Sequence, residues 1–398
     1  YNGKIYILSK AMTPLVETIY DRLSKAKNSK IMRQAVDATG WKKQLSTISD
    51  TTINKQREQV VIKKYFTFLN VTDDVFAKND INSLNDLKKK LKEQDVQGLS
   101  EDSLLREYVA YHILNNAYTI KAFCKMTGSG NIRIWNTSAK DQVFSITYDS
   151  LAHDESDKYI INSAGSKARF IKEDSDLLAK NGYVQELDNW LPVSEPSQAC
   201  IVWDLADYAD IKNMVSSEYY QPSAPTASEY SCHIASAPCF TYEMGGSGTD
   251  NHSYGDIDYV TCKSNLSKTN NHDRVVFNVG YMGSVEMETP TIIRGKYKVE
   301  LTIVYLTDHN FMRQQTDGNG GLLKISFDNM DAMTTYTAPY TKVTSASPGV
   351  YTSTIFNEIE FSKTTSHTFK FVVLDPAAST NSHFSLQIDC ITFIPIKD

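Results

Sequence analysis

The chain has 398 residues, with 41 Lys+Arg against 47 Asp+Glu, a formal charge of −6. At roughly 150 residues per domain it can form two or three cores, and 41% hydrophobic with 22% charged residues is an ordinary globular composition. A net negative chain lacks the basic field that dominates nucleic-acid or acidic-membrane binding, and the one long basic run, DLKKKLKEQ at 86–94, fits a solvated helix face. No apolar run reaches the about 20 residues of a membrane helix. Six Cys are too few for a disulfide scaffold and show no zinc-type spacing, although Cys232 and Cys239 could close a short loop. Aromatic residues are mostly Tyr and Phe, 23 and 16 against 4 Trp.

The chain opens on strand-like NGKIYIL without a signal-peptide pattern, and is expected to be a piece of a longer protein. Residues 15–60 carry helical periodicity: Leu15, Ile19 and Leu23 form a stripe, and IMRQAVDATGWKKQL continues it with Gly40 as a stop. VVIKKYFTFLNV is β-branched and aromatic, a strand. Asn70, Thr72 and Asp73 then offer side-chain oxygens to the orphan N–H groups of a following helix. Residues 83–95 and 101–114 are helical again, and from 117 to 191 short strands alternate with polar turns. Helices early and strands late make an α+β pattern.

Residues 194–227 are rich in Pro, Ser and Ala and read as a linker with a short packed segment, IVWDLADYADIKNMV. Trp190 and Trp203 are expected at the junction. From 228 to 398 nearly every segment alternates as a strand, punctuated by Gly, Asn, Asp, Ser and Pro, which predicts an all-β jelly-roll sandwich. NGKIYILSKAMTP at 2–14 and NGYVQELDNWLP at 181–192 are similar: Asn-Gly, an alternating strand, then Pro. Residues 1–14 are therefore expected to be the last strand of a preceding domain of the same type as 15–193.

Four of these pieces, in order, resemble a fasciclin-type domain over residues 15–193. ETIYDRLSKAKNSKIMRQAVDATGW is similar to its opening helices, YFTFLNVTDDVF to its strand–turn–helix signature, LLREYVAYHIL to its helix running into Tyr-His, and NGYVQELDNWLP to its closing strand. The usual Ala-Pro-Thr turn is replaced by Leu69-Asn70-Val71-Thr72, and 116–180 departs from the pattern. Residues 228–398 resemble a galactose-binding-like sandwich of carbohydrate-binding modules, through RGKYKVELTIVY, GGLLKISFDN and a closing strand with Asp389 before Ile391 and Phe393.

The resemblances imply a non-enzymatic adhesion or glycan-binding protein of the bacterial surface-lipoprotein type. It would be exported to the cell surface or outer membrane and anchored outside this chain. Its partner would be a glycan or a cell-surface or extracellular protein, with no nucleic acid and no transmembrane segment. A structural spacer displaying other domains is the alternative, and a surface polysaccharide hydrolase the remaining one. A hydrolase needs two carboxylates roughly 5–9.5 Å apart across a cleft, and no pair among the acids is singled out by sequence. Sugar binding uses an aromatic ring beside polar groups. Tyr254, Tyr336, Tyr340 and Tyr351, placed in turns, and Phe311 with Arg313 and Gln314 are the ligand-binding candidates. In the fasciclin-like part, Asn70, Asp73, Tyr111 and His112 are the recognition or structural motif. No catalytic residue and no cofactor is assigned. Calcium, which takes hard oxygens, could sit only on the acidic stretch with Asp250, Asp256 and Asp258.

Overall fold

The computed structural model describes residues 15–53, 57–95, 97–127, 132–153, 157–246, 256–266, 268–305, 311, 321–328, 334–337, 349–379 and 384–396. The chain divides into two compact units, Tyr1–Ser197 and Gln198–Asp398. The strand expected at residues 1–14 lies outside the described residues.

The first unit opens with α1 (Ile19–Lys25), α2 (Lys30–Ala38) and α3 (Lys42–Ser46). Thr18 and Asp21 form a capping box on α1, each taking up an N–H that the helix leaves unpaired. A hairpin, β1 (Ser49–Ile53) and β2 (Gln59–Lys63), leads to β3 (Phe66–Val71). The single strand expected over 60–71 is thus two: β2 is wholly exposed and β3 wholly buried. Then come α4 (Asp73–Ala77), α5 (Leu84–Glu93), α6 (Glu101–Tyr111), β4 (Ile113–Leu114), α7 (Ile120–Thr127), β5 (Ile132–Asn136), β6 (Val143–Tyr148), β7 (Tyr159–Ile161), β8 (Leu177–Ala179) and β9 (Gly182–Leu187). Helix α7 falls where only strands were expected. Ile120, Phe123 and Cys124 recur at helical spacing, and Phe123 is buried.

Two sheets lie under these helices, β4-β3-β9-β8 and β5-β6-β7. The β3–β9 pair is parallel, and Gly182 is required where it begins. Its φ is +138°, and a Cβ there would come within 1.7 Å of the Phe66 carbonyl oxygen. The preceding Asn181 is buried. Its Oδ1 accepts from the Ile19 N–H and its Nδ2 donates to the Leu45 and Thr47 carbonyls. The Asn-Gly of the closing strand therefore ties α1 and the end of α3 to the sheet.

The second unit comprises β10 (Ile201–Asp204), α8 (Ala209–Met214), β11 (Ser231–His233), β12 (Thr241–Glu243), β13 (Asp256–Thr261), β14 (Asp273–Asn278), β15 (Ser284–Glu288), β16 (Gly295–Tyr305), β17 (Leu322–Phe327), β18 (Thr334–Thr337), β19 (Gly349–Phe361), β20 (Thr368–Val373) and β21 (Leu386–Pro395). One sheet runs β11-β13-β14-β21-β16-β19 with β10 also on β21; the other runs β12-β15-β20-β17-β18. Every described pairing in both sheets is antiparallel. One hydrophobic core serves both sheets, built on Phe277, Phe327, Phe369, Phe371 and Phe393. The packed segment expected within residues 194–227 lies here. Ile201–Asp204 is a strand of the larger sheet, and Trp203 is buried edge-on against Phe369 in that core. Trp190 belongs to the core of the first unit. Across both units the fold is mixed α/β and mostly sheet, and no helix among the described residues is long and apolar enough to cross a membrane.

Candidate functional site

Tyr111 and His112 end α6 with no exposed surface. The His112 Nδ1 lies 2.9 Å from the Tyr108 carbonyl, four residues back, so the ring is held as the neutral tautomer that donates there. Burial drives its pKa down to about 4. The Tyr111 hydroxyl is bonded to the carbonyls of Val143 and Ser194 at 3.1 and 3.2 Å and accepts from Asn162 Nδ2 at 2.9 Å. Both side chains pin the end of α6 inside its own core.

Asn70 does not cap α4. It is buried on β3, where its Nδ2 donates to Ser29 Oγ and to both carboxylate oxygens of Glu186. Burial raises Glu186 to about 7. Thr72 is the N-cap of α4 but makes no side-chain cap bond. Asp73 caps a different helix: its carboxylate accepts from the N–H groups of Lys30 and Ile31, 2.9 Å each, at the start of α2.

The ligand-binding candidates do not assemble into a platform among the described residues. Tyr254, Arg313, Gln314 and Tyr340 lie outside them. Tyr336 is in β18 and Tyr351 in β19, not in turns; the side chain of Tyr336 is undescribed and Tyr351 packs partly on the core. Phe311 is buried against Phe384, and a Cβ on Gly321 would meet its ring at 2.4 Å. Among the calcium candidates, Asp250 and the side chain of Asp256 are undescribed, and Asp258 lies 3.2 Å from His233 Nδ1. Cys232 and Cys239 are free thiols.

The chemically unusual place in the molecule is one that no spacing pattern singled out. Strands β14 and β10 lie end to end along one edge of β21: β14 pairs with Leu386–Ile388, and β10 with residues 390–393. Asp204 ends β10, Asp273 begins β14, and Asp389 lies between the two pairings. On the opposite edge the β16 register passes from Cys390 to Ile388, so Asp389 is a bulge residue there. All three carboxylates meet at this break, and they are 4%, 0% and 3% exposed.

Their partners are neutral. Asp204 accepts from the Ala206 N–H (2.8 Å), Asn271 Nδ2 (2.7 Å) and Asn270 Nδ2 (3.2 Å). Asp389 accepts from the Asn270 N–H at 2.9 Å. Asn271 and His272 both have left-handed backbone, φ +49° and +56°, strain that this tight turn sustains. Neither oxygen of Asp273 has a hydrogen-bond partner. The Tyr259 hydroxyl beside it donates instead to the Tyr219 carbonyl, 2.7 Å. Arg274 is buried next in sequence but sends its guanidinium to Gln387, Glu229 and Cys262, since successive strand residues point to opposite faces.

Three carboxylates with no cationic partner cannot all stay charged out of water. Burial raises Asp204 to about 7; burial and then the charge of Asp204 raise Asp273 to about 9 and Asp389 to about 8. The donor set is all oxygen, the chemistry of calcium. Yet no three His, Cys, Asp or Glu side chains converge as a metal-ligand set among the described residues. The available signal was an acid set in each of three apolar runs, IVWD, DRVVF and LQIDCITF.

Residues 231–396 match a family described as a domain of unknown function, DUF5108. No curated protein matches the chain. Among solved structures, the chain is similar to a FAS1 domain pair of the insect cell adhesion molecule fasciclin I. Identity is 16% over 44% of this chain and 50% of that one, with a TM-score of 0.31, so the chain spans about half the length of that structure. It is also similar to a family 35 carbohydrate-binding module from Clostridium thermocellum (10% identity, 50% and 99% of the two chains, TM-score 0.23). A third similarity is to the C-terminal CBM6 of LamC, a laminarinase from Zobellia galactanivorans (9%, 49% and 99%, TM-score 0.23).

Proposed function

We propose that this chain is a non-enzymatic surface protein that binds glycan or a cell-surface partner, with a fasciclin-type unit followed by a galactose-binding-like β-sandwich. On this reading it is a bacterial surface protein, anchored outside this chain. The observation that carries the proposal is where the reactive groups sit. His112, Asp204, Asp273 and Asp389 are at most 4% exposed, so a polysaccharide has no route to these four groups, and the partly buried Glu186 is engaged by Asn70. The quoted sequence motifs support the domain assignment through what they do: the Asn-Gly of the closing strand and the Tyr-His of α6 serve the core of the first unit.

The test is a glycan array and titration calorimetry on the full chain, with and without calcium. Saturable micromolar-to-millimolar binding without release of reducing sugar is expected. Turnover of any arrayed polysaccharide that is lost in Asp204→Asn would overturn the reading.

A further inference from the structure

A β-strand ordinarily buries at least one face, but all ten residues of the β1–β2 hairpin are exposed. Val60, Val61 and Ile62 stand in sequence at 38%, 64% and 46% exposure, with Ile53 at 67%. The sheet has only these two strands among the described residues. An isolated two-stranded hairpin is marginal in water, and an open β-branched edge is a template for another strand.

The register shows what the edge of β2 presents. Ser49 pairs with Lys63 and Thr51 with Val61, and the Lys64 N–H donates to the Ile48 carbonyl at 2.8 Å. In an antiparallel ladder, hydrogen-bonded and open pairs alternate. Val60, Ile62 and Lys64 therefore turn their backbone groups toward β1, while Gln59, Val61 and Lys63 turn theirs outward.

We propose that β2 is the pairing edge for a second copy of this chain, two β2 strands running antiparallel about a twofold axis at Val61. In that register Val61 faces its own copy, and Gln59 faces the second copy's Lys63, so every outward-facing backbone group meets an outward-facing one. Val60 faces Ile62, which gathers the apolar residues at the centre. Glu58 faces Lys64 at both ends, which makes the edge complementary in charge to itself. A slip of one residue sets outward groups against inward ones. A slip of two in one direction places Arg57 against Lys63, like against like. In the other it sets Val61 against Lys63 and breaks up the apolar centre.

Sedimentation equilibrium on the full chain over a wide concentration range tests this. The wild type is expected to show a reversible monomer–dimer equilibrium. Lys64 also lies 3.3 Å from Asp50 within the hairpin, so the charge test is made in an Asp50→Asn background: there Lys64→Glu should weaken the dimer about tenfold, because two attractive pairs become repulsive, and Glu58→Lys with Lys64→Glu should restore it. Val61→Pro should abolish it while leaving the hairpin, since the lost N–H faces away from β1. In a Cys200→Ser background, Val61→Cys should form a disulfide-linked dimer, as opposed residues of a hydrogen-bonded pair are about 5.5 Å apart at Cα. Unchanged circular dichroism and thermal midpoint show that each variant folds. A monomer at all concentrations, open-ended oligomers, or a dimer indifferent to Lys64→Glu and Val61→Pro would each overturn the proposal.

Discussion

At the scale of residues, the three buried aspartates and His112 give the molecule opposing responses to pH. Asp204, Asp273 and Asp389 have folded pKa values raised to about 7, 9 and 8. The native state thus keeps protons that the unfolded chain has released, and their stabilisation is full below about pH 4 and lost as pH rises through 7 to 9. His112 is the reverse. With a folded value near 4, it costs stability as pH falls from about 6.5 through 4, because only the unfolded chain can take up the proton. Thermal midpoints should therefore fall across the whole range from pH 5 to 9, since three aspartate protons outweigh the single histidine proton below about pH 6.5, and Asp273→Asn should flatten that fall and stabilise the protein at pH 8. Millimolar calcium that removes the fall in the wild type would contradict the proton account. Gly182→Ala should cost about 3 kcal/mol or more in chemical denaturation, since its backbone φ and the Phe66 carbonyl both exclude a side chain.

Elements were legible where a single period governed them. Helices α1, α2, α5 and α6 and the long strands β16, β19 and β21 are where apolar spacing placed them. The errors have physical causes. Val60–Val71 reads as one apolar strand, but half of it leaves the core as a hairpin, and composition does not distinguish a buried β-branched strand from an exposed one. Ile201–Asp204 sits among Pro and Ser, yet completes the larger sheet by pairing with β21 across some 190 residues of sequence, a distance at which local pattern carries no information. The aspartate cluster was illegible for the same reason: a register break between two strands and a bulge in a third bring its members together. Phe327→Ala should cost about 3–5 kcal/mol, because Phe327 meets Phe356, Phe361, Phe369 and Phe393 within one core. Replacing residues 50–62 by a short Gly-Ser loop should change stability by only about 0.5 kcal/mol, as none of the described residues of that hairpin is buried.

At the scale of the whole molecule, two cores separate cleanly in sequence, one closing before Ser197 and the other beginning at Gln198. The chain carries a charge of −6, which suits a partner recognised by shape and hydrogen bonds rather than by a basic field. Its three raised aspartates and His112 are buried within those cores, whereas Glu186 is only partly buried. The most direct measurement is calorimetric titration of the full chain with glycans selected from an array, with reducing ends assayed in the same samples. Saturable binding with no release of sugar is the predicted result. Steady release of reducing sugar, abolished by Asp204→Asn or Asp389→Asn in a protein that still folds, would contradict it.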